Sequence, residues 1–286
     1  MFMELSGYVG WNLFWVVAIL VKNQGINILL NVFFGPLINS AQAISRQISH
    51  AVISFTQNFT IAFNPQIVKS YASGNISEML ILIFRTTKIS FFLIILFLVP
   101  LQLELTFVLE LWLKQIPEYV TIFTRIFLIE ALIESLCYPL TAGSRATGKI
   151  ALYQTISSGL MVLSLPIAFI FLKNNFPVVG VQMIVLILFL FIYIVRIFML
   201  SNQLKFSIRQ YLLYAITPSI FTLIAGSIMP VLFVTLHKEG FIRLLLTTII
   251  STISIMICAF FIGLSKNEKV VVVKIVKKAL LKDGTV

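Results

Sequence analysis

The sequence predicts an all-α membrane protein with several crossings, and three observations carry that prediction. Of 286 residues, 59% are hydrophobic and only 11% charged, with a mean hydropathy of +1.05, so the chain lacks the polar surface that coats a soluble globule. Its apolar residues come in long continuous runs instead of alternating every second position over about 10 residues, which selects helices over a β-barrel. Pro, Gly and charged residues gather between the runs, as they do in the turns between crossings.

At about 20 apolar residues per crossing, about eight spans fit. The first covers 6–34 and ends at Gly35-Pro36, the second 37–63, the third 79–101 and the fourth 119–141. The remaining four cover 149–172, 178–200, 211–236 and 241–264. Ahead of the third span, Asn75 and Glu78 have capping-box spacing, which is helix punctuation. In the tail, Lys274, Lys278 and Lys282 recur every fourth residue beside Val272, Ile275, Val276 and Ala279. That pattern suits a basic amphipathic helix on anionic headgroups, with a solvated disordered tail as the alternative.

Lys and Arg accumulate on the cytoplasmic side of membrane proteins. One set of alternate connections holds fourteen, among them Lys69, Arg85, Lys88, Arg145, Lys149, Arg196, Lys205 and Arg209, and the other holds four, Lys114, Lys173, Lys238 and Arg243. Both termini are therefore predicted cytoplasmic, with the acidic hairpin of Glu104, Glu110 and Glu118 facing outward. The net charge of +11 points to anionic lipid, and nucleic acid is not an expected partner. Cys137 and Cys258 fall in apolar stretches, and His50 and His237 lie far apart. Neither a disulfide framework, nor a metal site, nor a cofactor is expected. No basic residue precedes Lys22 and no small-residue cleavage site follows the first apolar run, so a cleaved signal peptide is not expected. The sequon-like triplets at Asn58 and Asn75 lie in a span and in a predicted cytoplasmic loop, out of reach of glycosylation.

The region from Lys22 to Gln66 places many polar groups at membrane depth, where each is costly unless it faces protein or water. Asn23, Asn27 and Asn31 recur every four residues and share a helix face, with Lys22 and Gln24 beside it. In the second span Gln42, Arg46, Gln47, Ser49, His50, Ser54, Gln57 and Asn58 form a broad polar face opposite Ile44, Ile48, Val52, Phe55 and Phe59. Arg46 stands about nine residues, roughly 14 Å, past the Gly35-Pro36 corner, near the bilayer centre. Two readings of it stand: an ion pair with Glu130 or Glu134, or a cationic lumen in which Lys22 and Arg46 offer donors to an anion such as phosphate. Glu130 and Glu134 share one helix face, either as partners for Lys22 or Arg46 or as a proton or cation site that biases a conformational switch.

Certain stretches carry a family likeness: Lys22-Asn23-Gln24-Gly25-Ile26-Asn27-Ile28-Leu29-Leu30-Asn31, Phe33-Phe34-Gly35-Pro36 and Asn64-Pro65-Gln66-Ile67. Leu111-Trp112-Leu113 with Pro117, and Thr141-Ala142 through Ala146-Thr147-Gly148-Lys149-Ile150, add to it. The chain resembles bacterial polysaccharide (O-antigen-type) flippases of the multidrug/oligosaccharidyl-lipid/polysaccharide exporter (MATE-like) superfamily, most strongly from Lys22 to Gly74 and weakly after about Ser207. That superfamily has two six-helix lobes around a central cavity, commonly with two further C-terminal helices. The resemblance implies a second-lobe-like bundle over 1–202, two additional helices over 203–264 and a basic cytoplasmic tail over 265–286. The family is close to twice as long, so the resemblance also implies a truncated gene, a misplaced start or half of a split transporter. A separately encoded N-terminal lobe is then an expected partner.

The implied function is movement of an undecaprenyl-diphosphate-linked oligosaccharide across the bacterial cytoplasmic (inner) membrane for surface polysaccharide biosynthesis. Arg46 would contact the diphosphate and Lys22 add positive potential, while Asn23, Asn27, Asn31 and Gln47 would bond sugar hydroxyls or hydrate the wall. A drug or metabolite-cation antiporter of the same superfamily is the nearest alternative; mid-depth cations argue against a cationic substrate, and Glu130 and Glu134 argue for one. An inactive half-transporter remnant is a third reading. A membrane enzyme is not expected, since the longest outward connection, around Leu103 to Glu118, has no histidine and no inward loop carries a clustered acid motif.

Overall fold

The computed structural model describes residues 2–282, with the side chains of 2–9, 12 and 275–282 outside that description. Helices account for nearly all of it, and no strand occurs among the described residues. An apolar run in lipid has no water to bond, so its backbone must satisfy its own N–H and C=O groups as helix.

The order is α1 (Phe2–Phe34), α2 (Pro36–Ile61), α3 (Asn64–Ala72), α4 (Ile76–Leu113), α5 (Val120–Ala146), α6 (Ile150–Lys173) and α7 (Val178–Leu204). A single turn, α8 (Ile208–Tyr211), runs through a π turn into α9 (Thr217–Leu236). After it, α10 (Phe241–Cys258) ends in a second π turn and α11 (Lys266–Lys282) closes the described chain. The tail expected to be an amphipathic helix is helical in its backbone, while the side chains of Ile275, Val276, Lys278, Ala279 and Lys282 lie outside the described residues.

Local chemistry sets the breaks. Gly35 takes φ 83°, a left-handed conformation that a side chain would strain, and Pro36 opens α2, where its missing N–H costs nothing. At α4 the Asn75 side chain accepts the Glu78 N–H at 3.2 Å, the N-cap that the spacing predicted; the Glu78 carboxylate accepts the Asn75 side-chain amide at 3.0 Å, while the Asn75 N–H goes to the Ser70 carbonyl at 3.0 Å. α4 has 38 residues, and its length of about 57 Å exceeds the roughly 30 Å hydrocarbon core. It kinks at Glu104 (φ −107°, ψ 15°), just past Pro100, whose ring removes a helical hydrogen bond. The expected third span, 79–101, is thus the middle of a helix that continues to Leu113, and Glu104 and Glu110 belong to that helix instead of a hairpin loop.

Six helical stretches are long and apolar enough to cross a membrane: Leu13–Phe34, Ile76–Leu113, Ile150–Lys173, Val178–Leu204, Ile208–Leu236 and Phe241–Gly263. The chain is a multi-pass membrane protein. α2 and α5, at 26 and 27 residues, match these in length but carry the polar groups of the Arg46 face and of Arg125, Glu130 and Glu134. α5 packs against α2, α4 and α7, α1 lies along α6, and α9 and α10 form a hairpin on α4. Gly25 permits the α1–α6 approach, since a Cβ there would stand 2.5 Å from Leu165 Cδ2.

The core has two apolar clusters at different heights. One, with Ile26, Leu30, Phe123, Ala168 and Val181, lies toward the Gly35 end of the bundle, and the other, with Ile83, Leu128, Met161, Ile197 and Leu200, toward the Gly148 end. Lys22 on α1 and Glu130 on α5 sit where the clusters meet.

Of the cations that the charge comparison assigned to connections, several lie in helices, and three of these are buried: Lys88 in α4, Arg196 in α7 and Arg243 in α10, at 4%, 5% and 9% exposure. Each is held by neighbours that only folding supplies. Arg243 pins α10 to α4. Its Nε donates to both Glu104 oxygens at 3.0 and 3.2 Å, its Nη2 to Oε2 at 2.8 Å and its Nη1 to the His237 carbonyl at 3.0 Å. The Thr247 hydroxyl completes the cluster by donating to Glu104 Oε1 at 2.8 Å.

At the opposite end Glu268 of α11 joins the same helix, accepting Lys88 Nζ at 2.6 Å and the Ser265 N–H at 2.7 Å, with Arg85 Nε at 3.5 Å. Partial burial pushes the Glu268 carboxyl up, but the bonds from Lys88 and Ser265 outweigh it and hold the group below its ordinary value of 4.5. The boundary expected at residue 202 falls within the last turn of α7, which runs to Leu204.

Candidate functional site

Two hydroxyls of α2, Ser45 and Ser49, face α5 and fasten the helices together, while Gln47, Ser54 and Asn58 are exposed. Ser45 Oγ donates to the Val120 carbonyl and Ser49 Oγ to the Phe127 carbonyl, both at 3.0 Å. Between these anchors the Arg46 guanidinium lies over the Phe127 ring, 4.4 Å from its centroid, a cation–π contact. Its Nε and Nη2 are buried and have no hydrogen-bond partner.

Opposite, Lys22 Nζ pairs with Glu130 Oε1 at 3.3 Å, with Lys22 only 3% exposed, and stands 5.4 Å from the Phe189 ring centroid. Of the two readings of Glu130, the pairing role is the one present, and its partner is Lys22. No ion pair within 4.0 Å involves Arg46 or Glu134 among the described residues. Glu134, one turn along α5, accepts the Tyr138 hydroxyl at 2.9 Å.

These groups line a cavity of about 440 Å³ walled by α1, α2, α5, α6 and α7 and reaching Asn64 and Arg145 at the Gly148 end. Four cationic side chains, Lys22, Arg46, Arg145 and Arg196, share its wall with two carboxylates, Glu130 and Glu134. With Lys22 and Glu130 neutralising each other, the surplus is cationic and resides in guanidinium groups. Arg196 is built in from three sides: its Nε donates to Ser157 Oγ at 3.1 Å, and its Cζ lies 4.4 Å from the Trp15 ring centroid and 5.3 Å from that of Tyr153. Its Nη2 is buried without a partner.

A second cavity, of about 420 Å³, lies between α1 and α2 toward the Gly35 end, with Gln24, Asn27, Asn31, Asn39 and Gln42 in its lining. Arg46 borders both cavities. The asparagine ladder of α1 is therefore divided. Asn23 opens to the first cavity, and Asn27 and Asn31 to the second. Gln47 lines neither and is exposed, because one helical step from Arg46 turns it about 100° away from α5.

Sequence reasoning left two parts of this site out. Arg196 was counted with a connection although it interrupts the apolar run of α7, which is itself a signal of an intramembrane role. Gln42 was placed on the polar face without a role, and nothing local distinguishes it from Gln47. Among the described residues no group of three or more His, Cys, Asp or Glu side chains could hold a metal ion. No family model, curated protein or solved structure matches the chain.

Proposed function

We propose that the chain is a membrane transporter of the flippase type, moving an undecaprenyl-diphosphate-linked oligosaccharide across the bacterial cytoplasmic membrane for surface polysaccharide synthesis. On this reading all eight long helices cross, including α2 and α5, whose polar faces turn inward, and both termini are cytoplasmic. The bundle acts with a partner lobe, as the resemblance to MATE-like exporters implies.

One observation carries the proposal: the Arg46 guanidinium, whose buried Nε and Nη2 have no hydrogen-bond partner among the described residues, stands at the border of two cavities. An arginine keeps its charge when buried, so leaving its donors idle is costly unless an anion completes them. A phosphate oxygen pair fits a guanidinium fork through two parallel bonds, and a diphosphate offers such pairs at the head of a lipid carrier. Lys22, neutralised by Glu130, tunes the potential; Asn23 hydrates the first cavity. Transport needs no covalent step, only differential binding to two arrangements of the helices.

Binding of undecaprenyl diphosphate to the purified chain tests this. Arg46→Ala is expected to weaken it by about 10- to 100-fold, the worth of charged hydrogen bonds, with Arg46→Lys between the two. Unchanged binding in Arg46→Ala would remove the diphosphate role.

Glu134, which makes no ion pair within 4.0 Å among the described residues, favours the cation antiporter as the second reading. That reading requires Glu134→Gln to abolish proton-driven export of a cationic dye while Arg46→Ala leaves it unaffected.

A further inference from the structure

We infer that the exposed seam of α2 is the contact between two copies of this chain, packed side by side in the membrane with their α2 helices parallel. The inference rests on the reading above for its membrane-crossing α2, and it makes the partner a second copy of this chain in place of a separately encoded lobe.

The exposed side of α2 is of two kinds. Gln47, His50, Gln57 and Asn58 carry side chains that both donate and accept hydrogen bonds, and Ser40, Ala43, Ala51 and Ser54 are small. These positions recur at three and four residues, a period of about 3.5 that keeps a seam turned toward one neighbouring helix. From Ser40 to Asn58 the seam runs about 27 Å, close to the roughly 30 Å of hydrocarbon.

Lipid offers no partner for such groups, so leaving them against it is costly. What lipid contact selects is seen on the outer faces of α9 and α10, where Phe221, Ile224, Ile228, Leu245, Ile249 and Ile253 are exposed and apolar. Small residues with amides between them are instead the composition of helix contacts inside a membrane.

The choice of a second copy follows from the charge pattern. A two-fold contact sets a residue near its own copy, where like charges repel and groups that donate and accept pair with themselves. The seam holds no Lys, Arg, Asp or Glu. The nearest cations are withdrawn from it: Lys22 is buried and paired with Glu130, and Arg46 lies over Phe127 of α5. Copies inserted in one orientation meet in parallel, so equal depths face each other. Ser40 and Ser54 already donate within α2, to the Pro36 and His50 carbonyls at 3.4 and 2.7 Å. They contribute close approach, and Gln47 contributes the bond between helices.

The test uses the full chain with Cys137→Ser and Cys258→Ser, expressed alone in the membranes of a laboratory bacterium. Ser40→Cys, Gln47→Cys and Ser54→Cys are each oxidised with copper phenanthroline and read as the share migrating at twice the monomer mass without reductant. Each is expected to cross-link about fivefold or more above Ile249→Cys on the outer face of α10. Ala51→Leu is expected to cut cross-linking of Gln47→Cys about fivefold, and Ala43→Leu repeats the test elsewhere on the seam. Both alanines are exposed, so these variants are expected to melt with their parent.

Cross-linking above the control at two or three of the seam positions supports the inference. Cross-linking at one or none, or cross-linking that both leucine variants leave unchanged, overturns it. Undecaprenyl diphosphate binding is measured on the same preparations. A cross-linked pair that does not bind it keeps the contact and removes the diphosphate, whereas binding by a chain that does not pair overturns the second copy and leaves the transport reading in place.

Discussion

Arg243 and Arg46 are the same side chain in two kinds of enclosure. Arg243 spends its donors on Glu104 and the His237 carbonyl, and Thr247 completes the carboxylate from the other side. Arg46 lies against an aromatic face with two nitrogens idle and a cavity on either side. A saturated buried charge is a staple that joins helices; an unsaturated one beside open volume is a place for something else to bind. Burial alone would have ranked the staple first, since Glu104 and Arg243 are 1% and 9% exposed. Satisfaction of donors, not depth, is what distinguishes the two.

The comparison can be broken most directly at the staple. Arg243→Met or Glu104→Leu alone leaves an uncompensated buried charge and is expected to cost about 3 kcal/mol, read as a large fall in melting temperature. The double variant is expected to recover most of that loss. If it melts as low as the singles, the cluster is not a closed pair.

The next effect is at Arg46. Arg46→Leu is expected to cost no stability, or to raise the melting temperature slightly, while anion binding falls by about 10- to 100-fold. A fall in melting temperature as deep as that of Arg243→Met would make Arg46 a second staple and end the contrast.

Arg196 sharpens it further, as a guanidinium half satisfied. Arg196→Lys keeps the charge but loses the planar contact with Trp15 and Tyr153, an expected loss of about 1 kcal/mol measurable by thermal melting.

The smallest effect is at the tail. Glu268 has a folded value below 4.5, so its contribution is present at neutral pH and is lost as pH falls through that lowered value. Arg85, 40% exposed in its side chain, adds only a screened share to it. Hydrogen exchange over residues 265–274 is expected to quicken at low pH, and in Glu268→Gln to be quick already at pH 7.

Much of the fold was legible. The Gly35-Pro36 corner and the Asn75–Glu78 cap follow from neighbours within four residues, and both occur where the sequence placed them. The end of α4 did not follow, because a helix that leaves the apolar layer keeps its hydrogen bonds, and Leu113 lies well beyond the end of the hydropathic run. Within the site, the shared face of Glu130 and Glu134 followed from helical spacing, and both line the first cavity. The asparagine ladder also follows the period, but the period alone could not reveal that a cavity boundary falls between Asn23 and Asn27.

Hydropathy and helical period belong to single residues and their near neighbours, so the sequence by itself determined that this chain is a bundle of membrane helices with polar faces on the first, second and fourth spans. Pairing belongs to residues far apart. Lys22 meets Glu130 across 108 positions and Arg243 meets Glu104 across 139. Which cations are consumed by such pairs, and which remain for a ligand, depends on how the helices are rotated and packed against one another. That was decided only in the tertiary structure, where Lys22 pairs with Glu130 and Arg46 makes no ion pair within 4.0 Å among the described residues.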